Sequence, residues 1–429
     1  MRDVILTDGF RTPFAKAGTA LASVPARELG RVAVQELLSR HAVDPAEIDE
    51  VILGNVGQPS DSTNIARVVA LLAGVPEHVP AVTVQRNCAS GMEAIVQAHA
   101  QVASGQSDLV LAGGTESMSQ IPLYVSEGMT RVFEKLSRAR SLGDRVAALA
   151  QARPKDLQPR VAIMEGLTDR ISGLNMGETA ELLAKEFGIS REAQDDFALQ
   201  SHRRAVAAVD NGNLGEEIAP VFAPPYKEAV LQDVGPRRNQ SLEALAKLKP
   251  YFDRKHGTVT PGNSCGITDG AAAIFVASAE KARELGLKPA GRLRSSAFVG
   301  LDPARMGLGP TYATPLALRR AGIRFQDLGL IEINEAFAAQ VIANEIAMAS
   351  PRFARDRLGL DEPVGEIDRS TLNVNGGGIA LGHPVGVSGT RLVITLLREM
   401  RRRNVDLGLA TLCVGGGQGG AVVIERMDG

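Results

Sequence analysis

The residues of this chain best suited to chemistry are two cysteines, Cys88 and Cys413, and one histidine, His383, which stand beside glycine-rich or helix-starting segments. Cys88 lies where a strand-like run changes directly into a helix-like run. A thiol at the start of a helix feels the positive end of the helix dipole and faces unpaired N–H groups, which favours the thiolate. A lone cysteine is more often inert core, but Asn87 and Ser90 are poor core neighbours and Gly91 permits a tight turn. Cys88 is therefore predicted to be a nucleophile.

A base for this thiol is predicted at His383. An imidazole can accept a thiol proton, and His383 is the only one of the six histidines that stands in a glycine-rich segment. The glycines at 376–389 allow the backbone to approach a substrate closely. The other five histidines are predicted to be surface residues: His41, His78, His99, His202 and His256.

Cys413 ends an apolar strand-like run and precedes the glycines at 415–417. Taken alone, it is equally consistent with a core residue and with an acid/base group. A thiol is suited to proton transfer when its surroundings bring its pKa into the working range. The glycines after it expose backbone N–H groups that could bind an oxyanion.

Three other motifs fail on inspection. Gly415, Gly417 and Gly420 match the spacing of a dinucleotide-binding fingerprint, but a strand follows them where a helix is needed. Residues 382–390 resemble a phosphate-binding loop without its lysine. No two of the cysteines and histidines stand at the spacing of zinc ligands, so no metal site is expected.

Composition excludes several classes of function. The 429 residues exceed what one core usually supports, so two core units are expected. A net charge of -2, no tryptophan and 4% aromatic residues argue against nucleic-acid binding. Three cysteines without close pairing favour a reducing compartment. The start lacks the apolar core of a signal peptide, so the predicted location is the cytoplasm, or the mitochondrial matrix if a leader is missing.

Strand-like and helix-like segments alternate in both the first and the last part of the chain. Expected strands are 4–6, 51–53, 81–84, 108–112, 291–299, 330–333, 408–413 and 421–425. Expected helices are 26–38, 66–72, the segment after Cys88, 315–321, 335–348 and 390–400. This alternation predicts an α/β protein with a mostly parallel sheet covered on both faces. Residues 107–114 and 405–412 are alike in pattern and position, which indicates an internal duplication; two unrelated α/β units are the alternative.

The middle of the chain follows a different order, and residues 129–150 are basic, helix-prone and amphipathic. A solvated surface helix is the favoured interpretation. The sharper hypothesis is a docking surface for anionic lipid, a partner subunit or a phosphate-rich ligand.

The chain resembles the thiolase family over essentially its whole length. Four blocks occur in family order: residues 87–91 (NCASG), 334–337 (NEAF), 382–384 (GHP) and 413–417 (CVGGG). The middle region and residues 308–315 (LGPTYATP) are most similar to the thiolase β-subunit of trifunctional fatty-oxidation complexes. Asn334 departs from that subfamily, which tends to carry histidine there, whereas stand-alone thiolases carry asparagine.

The resemblance implies the thiolase fold, with two duplicated α/β halves, mixed and mostly parallel sheets packed in layers, and an inserted loop domain. The boundaries expected on this basis are 1–285 for the N-terminal half and 286–429 for the C-terminal half. The loop domain is expected at about 119–250, within the first half.

The resemblance also implies roles for single residues. Cys88 would accept the acyl group, and His383 would activate Cys88 and later the incoming coenzyme A thiol. Cys413 would exchange a proton with the acetyl-CoA carbanion. Asn334, through a water, would join His383 in one oxyanion site, and the N–H groups of Cys88 and Gly415 would form the second.

The ligand expected from the resemblance is coenzyme A, as a co-substrate, with no bound cofactor and no metal. The positions that would line its pantetheine and acyl channel are Met176, Leu248, Phe252, Cys265, Met306 and Phe337. Cys265 stands where the family usually has serine. Expected partners are a second copy in a homodimer or homotetramer, and a hydratase/dehydrogenase α-subunit or a membrane surface reached through 129–150.

The leading functional hypothesis is a thiolase that cleaves 3-ketoacyl-CoA with coenzyme A to acetyl-CoA and a shortened acyl-CoA. The alternative in the same family is a biosynthetic acetoacetyl-CoA thiolase, which runs the reaction towards condensation. A cysteine hydrolase using Cys88 and His383 would need neither Cys413 nor coenzyme A. A non-catalytic scaffold subunit is disfavoured because every catalytic residue type is present.

Overall fold

The computed structural model describes residues 2–427. Contacts divide the chain into two compact units, Met1–Gln120 with Asp169–Gly429 (the main unit) and Ile121–Thr168 (the small unit). The small unit falls inside the stretch expected to be an inserted domain, 119–250. The boundary expected at 285 and 286 stays a prediction.

Fifteen strands and fifteen helices make up the described chain. The strands are β1 Val4–Leu6, β2 Phe10–Arg11, β3 Ala15–Lys16, β4 Glu50–Gly54, β5 Ala81–Val84, β6 Leu109–Glu116, β7 Leu123–Tyr124, β8 Arg160–Val161, β9 Val221–Phe222, β10 Ala229–Val230, β11 Thr268–Ser278, β12 Gly291–Gly300, β13 Leu330–Ile333, β14 Leu407–Val414 and β15 Gln418–Arg426. The helices are α1 Ala26–His41, α2 Ile65–Leu72, α3 Ser90–Ser104, α4 Glu127–Arg138, α5 Leu142–Leu149, α6 Ala162–Gly166, α7 Met176–Glu186, α8 Arg191–Asp210, α9 Leu242–Ala246, α10 Ala279–Glu284, α11 Gly309–Ala321, α12 Ala338–Ala349, α13 Pro351–Phe353, α14 Gly378–Leu381 and α15 Ser388–Arg403.

The main unit is built on one mixed sheet with the order β13-β14-β15-β12-β1-β11-β6-β4-β5. The two halves of the sheet repeat one arrangement. In each half the first strand (β1 or β12) lies beside the last (β11 or β15), which lies beside the penultimate strand (β6 or β14). An earlier strand then pairs in parallel with the penultimate one, β4 with β6 and β13 with β14. This repeat confirms the duplicated α/β architecture.

Parallel pairing is confined to the outer strands of each half, and the central pairs are antiparallel. In the second half the cause is local, because the glycine turn at 415–417 returns the chain as a β-hairpin. All eleven residues of β11 are buried. The alternation of strands and helices therefore predicts the α/β class and the resemblance predicts the mixed sheet, whereas the direction of the central strands depends on their connections.

Two corresponding helices, α3 and α15, carry the functional segments. They contact each other and share one apolar cluster with sheet residues such as Val110 and Leu412. Helix α15 is buried along its whole length up to Met400. The first residues of the two helices, Ser90 and Ser388, stand next to the segments that hold Cys88 and His383.

Two element boundaries differ from the expected ones near these segments. Strand β6 continues through Gly113 and Gly114, where the sequence pattern predicts its end. A Cβ at Gly113 would lie 2.1 Å from the carbonyl oxygen of Ala272, so these glycines allow close strand packing and do not end the strand. Helix α12 begins at Ala338 and not at 335, because Phe337 has an extended backbone and pairs with Ser264.

The small unit corrects the expectation of one helix over 129–150. It contains two helices, α4 and α5, and the second begins with a capping box in which Ser141 and Asp144 bond each other's backbone N–H groups. In residues 2–427 no helix is long and apolar enough to cross a membrane.

Candidate active site

The Cys88 segment is a tight turn between β5 and α3, as predicted. Asn87 has a positive φ of 43°, and the N–H and hydroxyl of Ser90 both donate to its carbonyl oxygen, at 3.0 and 2.7 Å. The Ser90 hydroxyl also accepts the N–H of Arg86 at 2.8 Å. These bonds hold Cys88 immediately before the first turn of the helix, partly exposed.

The turn is fixed to the hairpin between β14 and β15. The Asn87 amide donates to the carbonyl of Gly415 at 2.8 Å. Arg86 donates to Gln418 at 3.0 Å, forms a 2.7 Å ion pair with Glu93, and stacks on a phenylalanine ring. These bonds hold the turn that contains Cys88 against the hairpin that follows Cys413.

The three thiols lie in one neighbourhood. The N–H of Gly415 lies close enough to the Cys88 sulfur to lower the pKa of that thiol. Cys413, two residues before that glycine, is 1% exposed. Burial raises the pKa of Cys413 well above its usual value, and the nearby thiols Cys88 and Cys265 would raise it further when ionised. The structure thus brings Cys88, Cys413 and Gly415 together as predicted, and adds Cys265.

The ionisation of Cys88 is a correction to the sequence analysis. Desolvation raises the pKa of the Cys88 thiol, the Gly415 N–H lowers it in part, and the charge of Glu116 raises it again. The start of a helix therefore does not produce a resting thiolate here. The thiol is neutral in the free protein and has to lose its proton during the reaction.

His383 is held so that only one ring nitrogen is free. The backbone N–H of His383 donates to the carbonyl of Gly266 at 2.9 Å, and the ring Nδ1 lies 2.5 Å from the hydroxyl oxygen of Ser388. When Nδ1–H donates to Ser388, Nε2 is the unprotonated nitrogen. That Nε2 is buried without a hydrogen-bond partner within residues 2–427. Burial, followed by the nearby charge of Arg391, lowers the pKa of His383 to about 4, so the ring is a neutral base.

Asn334 follows β13 and is fully buried. Its backbone N–H donates to Thr411 at 3.0 Å, which attaches it to the strand that carries Cys413. Neither polar atom of its side-chain amide has a partner in the part of the chain that the structure describes. Buried amides are normally hydrogen-bonded, so this side chain is available to a ligand or a water.

Sequence reasoning missed the residues that support these groups. Ser388 is one, although a hydroxyl five residues after the histidine is a recognisable signal. Glu335 is another: it accepts bonds from Ser201 at 2.6 Å and from Asn373 at 2.8 Å, and so fixes the segment of Asn334. These partners are distant in sequence, and only the fold reveals them.

The predicted channel residues share one apolar cluster: Met176, Leu248, Phe252, Cys265, Met306 and Phe337. The Phe252 and Phe337 rings meet edge to face at 6.0 Å. The Met176 sulfur would lie 3.3 Å from a Cβ at Gly415, which links this cluster to the Cys88 turn. Cys265 donates its N–H to Ala336 beside Phe337. Their role in binding coenzyme A stays a prediction.

Two surface cavities, of about 570 and 600 Å³, open on the main unit. Among the predicted site residues only Phe252 lines either of them. His202, expected at the surface, is buried and accepts the N–H of Arg237 at 3.3 Å, because its face of helix α8 is covered. Within residues 2–427 no group of three His, Cys, Asp or Glu side chains is placed to hold a metal.

Comparison with known proteins agrees with this geometry. The family model of the thiolase N-terminal domain matches residues 4–280, and that of the thiolase C-terminal domain matches residues 287–426. The 3-ketoacyl-CoA thiolases of Yersinia pestis (strain Pestoides F) and Yersinia pseudotuberculosis (strain YPIII) are 44% identical over 423 residues, which are 98% of this chain and 96% of each relative.

Solved structures agree as well. The acetyl-CoA acetyltransferase of Bacillus anthracis has a TM-score of 0.86 at 38% identity, covering 100% of this chain and 99% of that one. Human mitochondrial 3-ketoacyl-CoA thiolase in complex with CoA has a TM-score of 0.85 at 37% identity, covering 99% and 98%. The chain belongs to the thiolase family, a family of acyltransferases.

Proposed function

We propose that this protein is a 3-ketoacyl-CoA thiolase, which transfers the acyl group of a 3-ketoacyl-CoA to coenzyme A and releases acetyl-CoA. The observation that carries the proposal is that Asn87, beside Cys88, is bonded at 2.8 Å to the carbonyl of Gly415, two residues after Cys413. A hydrolase would need only Cys88 and His383. The second buried thiol in the same neighbourhood is what carbon–carbon cleavage requires.

The first half-reaction forms an acyl-enzyme. His383 Nε2 removes the proton of Cys88, and the sulfur attacks the 3-keto carbon. The N–H groups of Cys88 and Gly415 stabilise the oxyanion, since preorganised donors act strongly where charge develops. Because both the thiol and the imidazole are neutral beforehand, the proton moves as the substrate binds.

Breaking the carbon–carbon bond leaves the carbanion of acetyl-CoA. Asn334, through a water, and His383 stabilise its enolate oxygen, and Cys413 donates a proton to the carbon. The proton that His383 took from Cys88 passes to the Cys413 thiolate, which restores both groups. Coenzyme A then gives its thiol proton to His383 and attacks the acyl-Cys88 thioester, and the departing Cys88 thiolate recovers that proton. No bound cofactor takes part in either half-reaction.

The direction of flux separates the two candidate functions within the family. The Yersinia relatives carry the degradative name and the Bacillus structure the name acetyl-CoA acetyltransferase. We favour degradation because the relatives at 44% identity carry that name. A series of 3-ketoacyl-CoA substrates of increasing chain length, assayed in both directions, tests this. Activity confined to acetoacetyl-CoA would favour the biosynthetic alternative.

We also propose a homodimer or homotetramer in the cytoplasm, with the small unit as a docking surface. Apolar side chains are exposed on that unit: Leu123, Tyr124, Val125, Phe133, Leu142, Val146, Leu149, Leu157, Val161 and Met164. Basic residues of α4 and α5 accompany them. Partners of matching chemistry are a hydratase/dehydrogenase α-subunit and an anionic membrane surface. Failure to sediment with anionic vesicles at low salt would exclude the membrane.

A further inference from the structure

Glu116 is a fully buried carboxylate at the end of β6. Each of its oxygens accepts two N–H donors. Oε1 accepts from the Asn55 amide at 3.1 Å and from the Gly57 N–H at 2.8 Å. Oε2 accepts from the Val56 N–H at 3.1 Å and from the Gly386 N–H at 3.0 Å. All four partners are donors, which is the surrounding that an ionised carboxylate requires.

The bond to Gly386 connects this carboxylate to the segment of the base. Gly386 belongs to the short turn 385–387, which separates His383 from Ser388. The same turn rests on β6, because a Cβ at Gly114 would lie 2.4 Å from the Gly386 carbonyl oxygen. The turn is therefore attached to the first half of the sheet, on which the Cys88 segment is also mounted.

We propose that Glu116 is a positioning residue for His383, and that its ionised form holds the turn 385–387 in the place that directs Nε2 to Cys88. This inference rests on the proposed function, in which His383 is the base. Glu116 itself does not contact the substrate. Its carboxylate joins the segment 55–57 to the turn 385–387, 270 residues from Glu116 in sequence. The turn follows the base directly, and the segment 55–57 follows β4, which pairs with β5, the strand before Cys88.

Protonation would weaken this arrangement. An oxygen that gains a proton becomes a donor facing donors, so at least one of the four bonds is lost. Burial, with a smaller contribution from the charge of Asp269, raises the pKa of Glu116 to about 7. The other titratable groups near it are Asp269, held by Ser119, and the thiol of Cys88. Activity is thus expected to rise with pH through about 7.

This rise in activity near pH 7, the acid limb of the pH profile, does not come from titration of His383, because the pKa of His383 is lowered to about 4. A rival source is Glu332, a buried carboxylate whose pKa is also about 7 and which pairs with Arg391 at 2.7 Å. The variants Glu116→Gln and Glu332→Gln therefore distinguish the two origins.

The test is steady-state thiolysis of acetoacetyl-CoA by the full-length protein between pH 5.5 and 9. In Glu116→Gln an amide N–H₂ replaces one acceptor oxygen, so two of the four bonds are lost. We expect kcat to fall about 100-fold, the effect of a displacement of roughly 1 Å. KM should stay within about twofold, since binding is retained, and the limb near pH 7 should disappear.

Asp269→Asn is the matched control. It changes a second buried carboxylate on the neighbouring strand, whose hydrogen bonds go to the backbone N–H and the hydroxyl of Ser119. We expect it to lower the melting temperature and to keep the rise in activity with pH, moved to lower pH because the Asp269 charge no longer raises the pKa of Glu116. If Glu116→Gln unfolds, Glu116→Asp replaces it, with the limb as the readout.

The proposal is overturned if Glu116→Gln, folded by circular dichroism, keeps the wild-type kcat, or if the limb persists there and disappears in Glu332→Gln. A rise in KM with an unchanged kcat in Glu116→Gln would also overturn it. Absence of thiolysis in the wild-type protein would refute the proposed function instead.

Discussion

The bond between Ser388 and His383 allows a quantitative test of the base. Ser388→Ala removes the only partner of Nδ1 in the described chain and leaves a buried N–H unsatisfied, since His383 is 7% and Ser388 1% exposed. Such a loss costs about 1–3 kcal/mol. The cost is larger in the transition state, where the imidazolium forms and its N–H donates more strongly.

Only the excess of the transition-state cost over the ground-state cost lowers kcat. A hydrogen bond to a charged group contributes about 1 kcal/mol more than a neutral one, which at about 1.4 kcal/mol for each tenfold change in rate corresponds to roughly a fivefold lower kcat. The assay is thiolysis of acetoacetyl-CoA, with kcat and KM measured separately. Thr390→Val is the control, because the Thr390 hydroxyl lies in the same helix and has no partner within residues 2–427. A kcat of Ser388→Ala within twofold of wild type, or a change confined to KM, would refute the role given to Ser388.

Three further predictions concern the thiols and the core. Cys413→Ala should still acylate Cys88, detected by mass spectrometry, but should lose thiolysis; normal turnover would refute the division of roles. Iodoacetamide should label Cys88 before Cys265, because the pKa of Cys265 is raised to about 12. Labelling of Cys88 should become faster as the pH rises towards 9, because its pKa is raised too. Equal labelling of the two thiols in peptide mapping, or a Cys88 labelling rate that already levels off below pH 7, would contradict this. Arg11→Met leaves two buried carboxylates without their cation, Glu217 and Asp233, which pair with Arg11 at 2.6 and 2.7 Å. The free energy of unfolding in urea should fall by about 3–5 kcal/mol. In the control Arg2→Gln, which removes an exposed ion pair, it should fall by less than about 1 kcal/mol.

The sequence predicts the strands of this fold well because their apolar runs are short and bounded by turn residues. Strands 4–6, 81–84 and 330–333 coincide with β1, β5 and β13. The pairs that bring Cys88 to Gly415 are not visible in the pattern, since they join segments 328 residues apart. The sequence therefore indicates candidate chemical groups, whereas the hydrogen bonds of Ser388 and Glu116 to their segments are visible only in the fold.

The charge state of Cys88 shows a second limit of sequence reasoning. The start of a helix favours a thiolate, but desolvation is a property of the folded site and acts in the opposite direction. Likewise, the amphipathic pattern over 129–150 predicts helix but not its interruption, which depends on the capping box at Ser141. Local sequence patterns therefore predict helices and strands, whereas the pKa of Cys88 depends on burial in the folded protein.

The central claim is that one ligand meets the nucleophile, the base and the second thiol together. A crystal structure of the Cys88→Ala variant with a bound 3-ketoacyl-CoA tests it most directly. The account predicts that the 3-keto carbon lies beside residue 88, and that His383 Nε2 and the Cys413 sulfur both lie within about 4 Å of the reacting atoms. A ligand whose reacting carbons contact neither His383 nor Cys413 would contradict it.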